Sequence, residues 1–234
     1  MKKNAIEYLR QARAEGLTVL DEPTGKRILA DAGISVPRSV IVDSQGDLRA
    51  AADALKAPYV LKVVASGVVH KSDVGGVRLN LADADALATA GHEVSALMRT
   101  QGIEPQSWLV EELAPPGVEI VIGGAMDPEF GPMVMVGLGG IFVEVMRDVS
   151  FRICPICELD ALEMIEELKG APILRGARGS QTVSIEAIAQ VLLCIGGEGG
   201  VLMACEQELA EVDINPLIVS KEGAVAVDAR FILR

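Results

Sequence analysis

The chain has 234 residues, 21 Lys plus Arg against 33 Asp plus Glu, and a formal net charge of −12. Half of it is hydrophobic and its mean hydropathy is +0.36, which excludes a disordered chain. Folded, it should expose roughly 10,000 Å² against about 36,000 Å² unfolded, enough for a sizeable core. The charge argues against nucleic acid, which calls for a basic footprint, and against anionic membranes. The longest uncharged stretch lies between Glu129 and Glu144, short of the about 20 residues a membrane span needs. An N-terminus bearing Lys2, Lys3, Glu7 and Arg10 lacks the apolar centre of a signal peptide. Four Cys in a chain of this size do not make a disulfide framework. The expected setting is the cytoplasm.

In chain order, Ile6, Leu9 and Ala12 predict a short amphipathic helix over Asn4–Gly16. Pro23 at the start and Gly33 at the end predict a second over Glu22–Asp31. Strands are expected over 38–42, 59–64 and 77–81, and helices over Asp47–Leu55 and Asp83–Arg99. Between the last two strands lies a polar, Gly-bearing loop, "ASGVVHKSDVGG". From residue 107 six strand candidates follow: "SWLVEEL", "VEIVIGGAM", "PMVMVGLG", "FRICPI", "EQELAEVDINPLIV" and "AVAVDARFIL". Helices over Asp160–Lys169 and Ser184–Gly196 lie among them. The pattern predicts an α/β chain (α+β in its second half). A helical segment, 1–37, packs on a small lobe, 38–106, and a larger lobe, 107–234, whose sheet is mainly antiparallel.

Two stretches carry candidate chemistry. Lys62 stands in the buried strand "YVLKVV", where an ammonium requires an anion. If that anion is a bound ligand, Lys62→Met should leave stability unchanged or higher. The loop beyond presents His70 beside Lys71, a pattern suited to a mobile phosphate acceptor. Neutral imidazole is a nucleophile, and nearby cations stabilise the phosphate formed on it. The alternative is a lysine snorkelling to the surface and an ordinary loop histidine, and the residues alone leave both open. In "EVDINPLIVSKEGAVAVDARFIL", Asp213 and Asn215 share a strand face, and a turn at Ser220–Gly223 can return Asp228 opposite Asn215. A carboxylate and an amide oxygen so placed suit Mg²⁺, which takes few protein oxygens and keeps waters and phosphates. Taken alone, the stretch reads equally as a hairpin edge with solvated carboxylates.

Other features carry less. "GLGGIFVEV" is not a dinucleotide fingerprint, and no Walker A sequence occurs. Arg175 and Arg178 flank glycines in "ILRGARG". With Arg152, Arg178 is a candidate for contact with phosphate or an acyl group. Cys154 and Cys157 have redox spacing without redox context and are expected to pack. Cys194, Met133 and Met135 are expected in the core, and His92 on a helix surface.

Taken together, these blocks resemble the ATP-grasp family, and within it the β subunit of ADP-forming acetate–CoA ligase and related acyl-CoA synthetases. The resemblance runs from "EPTGKRILADAGISVP" to "DINPLIV" and "VDARFIL". It implies two α/β lobes with a nucleotide between them. It implies that Lys62 holds nucleotide phosphates, that Val110, Glu111, Glu112 and Leu113 form the hinge that meets adenine, and that Glu119 approaches the nucleotide. Asn215 and Asp228 resemble Mg²⁺ ligands, Asp213 resembles the acidic residue that steadies a phosphohistidine, and His70 matches the loop histidine that carries phosphate. The implied reaction is acid + CoA + ATP ⇌ acyl-CoA + ADP + Pi. The family's CoA and acyl-phosphate chemistry uses a further histidine in other domains, whereas this chain has only His70 and His92. A separate α subunit is therefore expected to bind CoA and the carboxylic acid. The rival readings are a carboxylate–amine ligase working alone and a nucleotide-binding subunit without catalysis.

Overall fold

The computed structural model describes residues 2–65, 71, 74–140, 146–177 and 182–234, with side chains from residue 5 onward. In chain order the elements are α1 (Lys2–Ala14), α2 (Glu22–Asp31), β1 (Ser39–Val42), α3 (Leu48–Ala54), β2 (Tyr59–Val64), β3 (Val77–Leu81), α4 (Ala84–Thr100), β4 (Ser107–Glu112), β5 (Val118–Asp127) and β6 (Gly131–Leu138). There follow β7 (Val149–Ile153), α5 (Glu158–Glu166), α6 (Ala171–Leu174), α7 (Ile185–Gly196), α8 (Val201–Ala204), β8 (Leu209–Val219), β9 (Ala224–Ala226) and β10 (Arg230–Leu233). They form two compact units, one of residues 37–114 and one of 1–36 with 115–234. Among the described residues no helix is long and apolar enough to cross a membrane.

Local signals set several boundaries. Asp21 caps α2 by accepting from Thr24 N–H at 2.8 Å, and Gly33, at φ +88°, ends the turn beyond it. Asp83 caps α4 through Ala86 N–H at 2.8 Å, and Ser184 caps α7 through Ala187 N–H at 3.1 Å. In α4 the buried Leu87, Ala90, Gly91, Val94 and Met98 recur every three or four residues, one face of a helix turned to a core.

In the 37–114 unit the strands order β1-β4-β2-β3, every neighbour antiparallel. The sequence places "SWLVEEL" with the larger lobe, but β4 lies between β1 and β2, with Leu61 opposite Val110 and Ile41 opposite Leu109. This boundary differs because strand membership is decided by long-range pairing, whereas composition changes locally. Leu61, Val63, Trp108 and Val110 pack with the apolar faces of α3 and α4. Lys62 and Glu111 therefore stand on the other face.

The second unit is a six-stranded sheet of order β10-β8-β5-β6-β7, with β9 also paired to β8. Ile120, Ile122, Val134, Val136, Leu138, Val212, Ile214 and Leu217 form one core with residues of α1, α2, α5 and α7. The segment 1–36 is thus built into this core. Met133 and Met135 are only half-buried, contrary to expectation. They alternate with Val134 and Val136 and so point to the sheet's opposite face. That face also carries Glu119, Gly123, Asp213 and Asn215. The stretch read as one strand, "AVAVDARFIL", divides into β9 and β10, separated by residues 227–229.

Candidate functional site

Lys62, Glu111, Glu119, Asp213 and Asn215 fall on the sheet faces turned away from the helix-packed cores. In β2, Lys62 is 6% exposed, which removes the snorkelling alternative. Its Nζ lies 3.1 Å from Oε2 of Glu111, itself 1% exposed. Lys62 is opposite Leu109 in the ladder, so Glu111, two residues on, lies diagonally on the same face. The anion that the buried ammonium requires is therefore supplied, at least in part, by the chain. This corrects the stability expectation for Lys62→Met, which would strand a buried carboxylate.

The remaining hinge candidates have structural work. Val110 is fully buried in the core with α3 and α4, so its side chain is not offered to a base. Glu112 accepts from Arg38 Nη1 at 3.2 Å and from Lys56 N–H at 3.0 Å, fastening β4 to the chain before β1 and β2. Leu113 donates its N–H to Pro58 O at 2.9 Å and is half-buried.

In the other unit, Glu119 is exposed on β5, and its carbonyl accepts from Gly139 N–H at 2.7 Å. A Cβ on Gly139 would stand 2.8 Å from Glu119 Cβ, so glycine is what allows the β6 end to close on Glu119. On β8, Asp213 and Asn215 alternate with buried Val212, Ile214 and Leu217. Between Ile120–Ile122 of β5 and Ile214–Leu217 of β8 the register shifts by one residue, a bulge at Asn215–Pro216 that leaves Asn215 exposed. On its other side β8 keeps one register from Leu217 to Glu211, shifting only between Ile232 and Leu233 of β10. Leu217 faces Ala226, Val227 N–H donates to Pro216 O at 3.1 Å, and Asp213 faces Arg230. Asn215 and Asp228 thereby lie between these paired positions, Asp228 in the segment that links β9 to β10. Its Oδ1 accepts from Ala229 N–H at 2.7 Å, which fixes the carboxylate's orientation. Two hard oxygen donors on adjacent chain segments fit Mg²⁺. Among the described residues no three His, Cys, Asp or Glu converge as a denser metal site.

Sequence reasoning missed Arg230. Its Nη2 lies 3.1 Å from Glu211 Oε1 and 4.0 Å from Asp213 Oδ2. The signal was available in "VDAR", but its partners are visible only once β10 pairs with β8.

Arg152 is engaged elsewhere. Its guanidinium forks onto Glu167, with Nη1 3.0 Å from Oε2 and Nη2 on Oε1, and Ser150 Oγ donates to the same carboxylate at 2.6 Å. These bonds, Arg152 first, hold the Glu167 carboxyl down at about 2. The geometry favours a structural clamp between β7 and α5 over a phosphate contact. Arg175 pairs with Glu166. Cys154 is buried, and burial pushes its thiol up to about 11, so it packs as expected. Cys157 is exposed at the head of α5 and does not pack. There its N–H donates to Asp160 Oδ2 at 2.8 Å. Cys194 is half-buried, and His92 is exposed on α4. His70 and Arg178 lie outside the described residues.

The small unit is antiparallel and carries a buried lysine, and the larger sheet carries Asp213 and Asn215 on β8. The ATP-grasp domain profile matches residues 11–233, and the chain belongs to the ATP-grasp family. Within it, the chain is 40% identical over 232 residues to the β subunit of ADP-forming acetate–CoA ligase I of Pyrococcus furiosus, covering 98% of this chain and 97% of that one. It is 41% identical to ADP-forming acetate–CoA ligase I of Archaeoglobus fulgidus, covering 96% of this chain but 31% of that longer one. Among solved structures it is similar to the dinucleotide-forming acetyl-coenzyme A synthetase 1 of Ca. Korarchaeum cryptofilum, in complex with coenzyme A, Ca-AMPCP and HgCl+. The TM-score is 0.92 at 41% identity, over 98% of this chain and 100% of that one. A second structure of that enzyme holds coenzyme A and Mg-AMPPCP, with a phosphohistidine segment pointing towards the nucleotide-binding site. It matches with a TM-score of 0.84 at 40% identity, over 98% and 100% of the two chains.

Proposed function

We propose that the chain is the nucleotide-binding β subunit of an ADP-forming acyl-CoA synthetase, acting in the cytoplasm with an α subunit that binds CoA and the carboxylic acid. The observation that carries this reading is the β8 register, whose pairs Leu217–Ala226 and Asp213–Arg230 bracket Asn215 and Asp228. Its family context is the full-length likeness to such β subunits.

Asn215 and Asp228 would hold Mg²⁺, which when bound neutralises charge on the nucleotide phosphates. Lys62, oriented by Glu111, offers its ammonium to those phosphates, and the chain around Glu112–Leu113 and Glu119 meets the nucleoside. His70 accepts the phosphoryl group. The lone pair of one ring nitrogen forms the P–N bond as the bond from the γ phosphorus to its bridging oxygen breaks, and ADP leaves with that electron pair. Asp213 accepts the N–H of the other ring nitrogen, holding the tautomer and stabilising the imidazolium. A histidine carrier suits an enzyme in which phosphate is made at one place and used at another.

The test is labelling with [γ-³²P]ATP and Mg²⁺ in the presence of the partner subunit. The chain should gain an acid-labile, base-stable phosphate. His70→Asn should abolish both label and acyl-CoA formation, whereas His92→Ala should affect neither. Full activity in His70→Asn would sink the shuttle. ADP release that depends on an amine, with no label on the chain, would support a carboxylate–amine ligase instead.

A further inference from the structure

Asp228 lies in the segment 227–229 that links β9 to β10. The N-terminal part of the chain fastens both ends of that segment. Just before it, Ala226 N–H donates to Ser35 O at 2.8 Å. Just after it, Leu20 N–H donates to Phe231 O at 3.0 Å, Val19 bridges Ile232, and Leu233 N–H donates to Thr18 O at 2.8 Å. These anchors flank α2, and α2 itself backs the span between them. A Cβ on Gly25 would stand 3.2 Å from Ala229 O and 3.1 Å from Phe231 Cδ2. Gly25 is buried inside α2, where alanine would favour the helix more, so what glycine supplies there is close approach. The contact falls on the residue that sets the carboxylate. Ala229 is 4% exposed, and its N–H donates to Asp228 Oδ1 at 2.7 Å. From the sheet, Pro216 O accepts Val227 N–H at 3.1 Å, one residue beyond Asn215. The segment is thus held from β8 and from α2 alike.

We propose that Gly25 is a positioning residue for the metal site: by letting α2 close on Ala229, it fixes where the Asp228 carboxylate stands relative to Asn215. The proposal rests on the reading above in which these two residues hold Mg²⁺. The choice of ion makes position matter. Mg²⁺ demands near-ideal octahedral geometry with oxygens at about 2.0–2.1 Å, whereas Ca²⁺ accepts flexible geometry at about 2.3–2.6 Å. A methyl group on Gly25 requires its neighbours to give by a few tenths of an ångström. That exceeds the roughly 0.2 Å within which ligand distances hold at a well-formed metal site. The displacement reaches Asp228 through Ala229, so it should disturb the smaller, stricter ion more than the larger one.

The experiment is titration calorimetry of the full chain with AMPPCP, in Mg²⁺ and separately in Ca²⁺. Gly25→Ala should weaken AMPPCP binding in Mg²⁺ by about tenfold, the size of outer-shell losses at metal sites, and in Ca²⁺ by less than about threefold. Lost packing alone would not change that ratio. Gly196→Ala is the control: a Cβ there would come within 2.9 Å of Cys154 Sγ and Val134 Cγ1, elsewhere in the same unit, and the ratio should keep its wild-type value. The proposal fails if Gly25→Ala binds like wild type in both metals, if both affinities fall equally, or if Gly196→Ala shifts the ratio as much. Should Gly25→Ala not fold, adding Phe231→Leu removes the ring's share of the contact and leaves that of the Ala229 carbonyl, and the ratio is read on that double variant. Asp228→Ala separates the two levels. If it leaves Mg²⁺-dependent binding unchanged, the metal reading itself falls; if it weakens binding while Gly25→Ala does not, only the positioning role falls.

Discussion

At the scale of single residues, Lys62 and Glu111 show how a buried charge changes a prediction. The pair is nearly dry, with side-chain exposures of 8% and 2%. Removing one partner of such a pair costs about 3–5 kcal/mol, whereas replacing both with apolar groups is close to neutral. Lys62→Met should therefore lower unfolding free energy by about that amount in urea titration, and Lys62→Met with Glu111→Leu should recover most of it. Nucleotide affinity should stay low in both, because the lysine is absent from both. Equal stability of Lys62→Met and wild type would show that Glu111 is neutralised by another group. A second residue-scale prediction concerns acid. The Glu167 carboxyl is depressed from 4.5 to about 2 by Arg152 and Ser150. A depressed carboxyl contributes stability that is fully present above its unfolded value and is lost as pH falls through the folded one. The clamp's contribution should thus fade between about pH 4.5 and pH 2. In Glu167→Gln the unfolding free energy should fall less steeply across that window. An unchanged slope would place the acid sensitivity elsewhere.

Among elements, the junction of α5 and α6 depends on one side chain. Asp148 is 4% exposed and accepts from Lys169 N–H and Gly170 N–H, both at 2.8 Å. A Cβ on Gly170 would come within 2.0 Å of Leu138 Cδ1, so the turn is pressed against β6 and no water replaces the carboxylate easily. Asp148→Ala leaves a buried N–H unmatched and should cost about 1–3 kcal/mol. Hydrogen exchange should show the amides of Lys169 and Gly170 losing protection before those of β6, and unchanged protection would argue that the turn holds itself. Element boundaries were most legible where the signal is local. α2 begins at Pro23's turn and ends before Gly33, and β2 is the continuous apolar run 59–64. The bulge at Asn215–Pro216 was signalled by a proline inside a strand pattern. The break between β9 and β10, over residues 227–229, depends on how each pairs with β8.

For the molecule as a whole, the proposed metal pair tests whether β8 and the segment between β9 and β10 act together. Asp228→Ala should fold with near-normal stability yet weaken Mg-nucleotide binding by at least about tenfold in titration calorimetry, since even outer-shell losses at metal sites cost that much. Unchanged affinity would remove Asp228 from the site. The amino-acid sequence by itself determined most elements and the resemblance to the ATP-grasp family: a run of strands and amphipathic helices, one lysine in an apolar strand, and a carboxylate and an amide near a hairpin turn. Those are local properties of periodicity, turn residues and alternation, and they survive without tertiary information. Tertiary structure alone decided which sheet receives β4, that Glu111 neutralises Lys62, that Met133 and Met135 face away from the core, and that Arg230 stands beside Asp213. Each of these depends on which strand lies next to which. That choice is made by hydrogen-bond pairing and burial summed over residues far apart in the chain, and no local pattern encodes it.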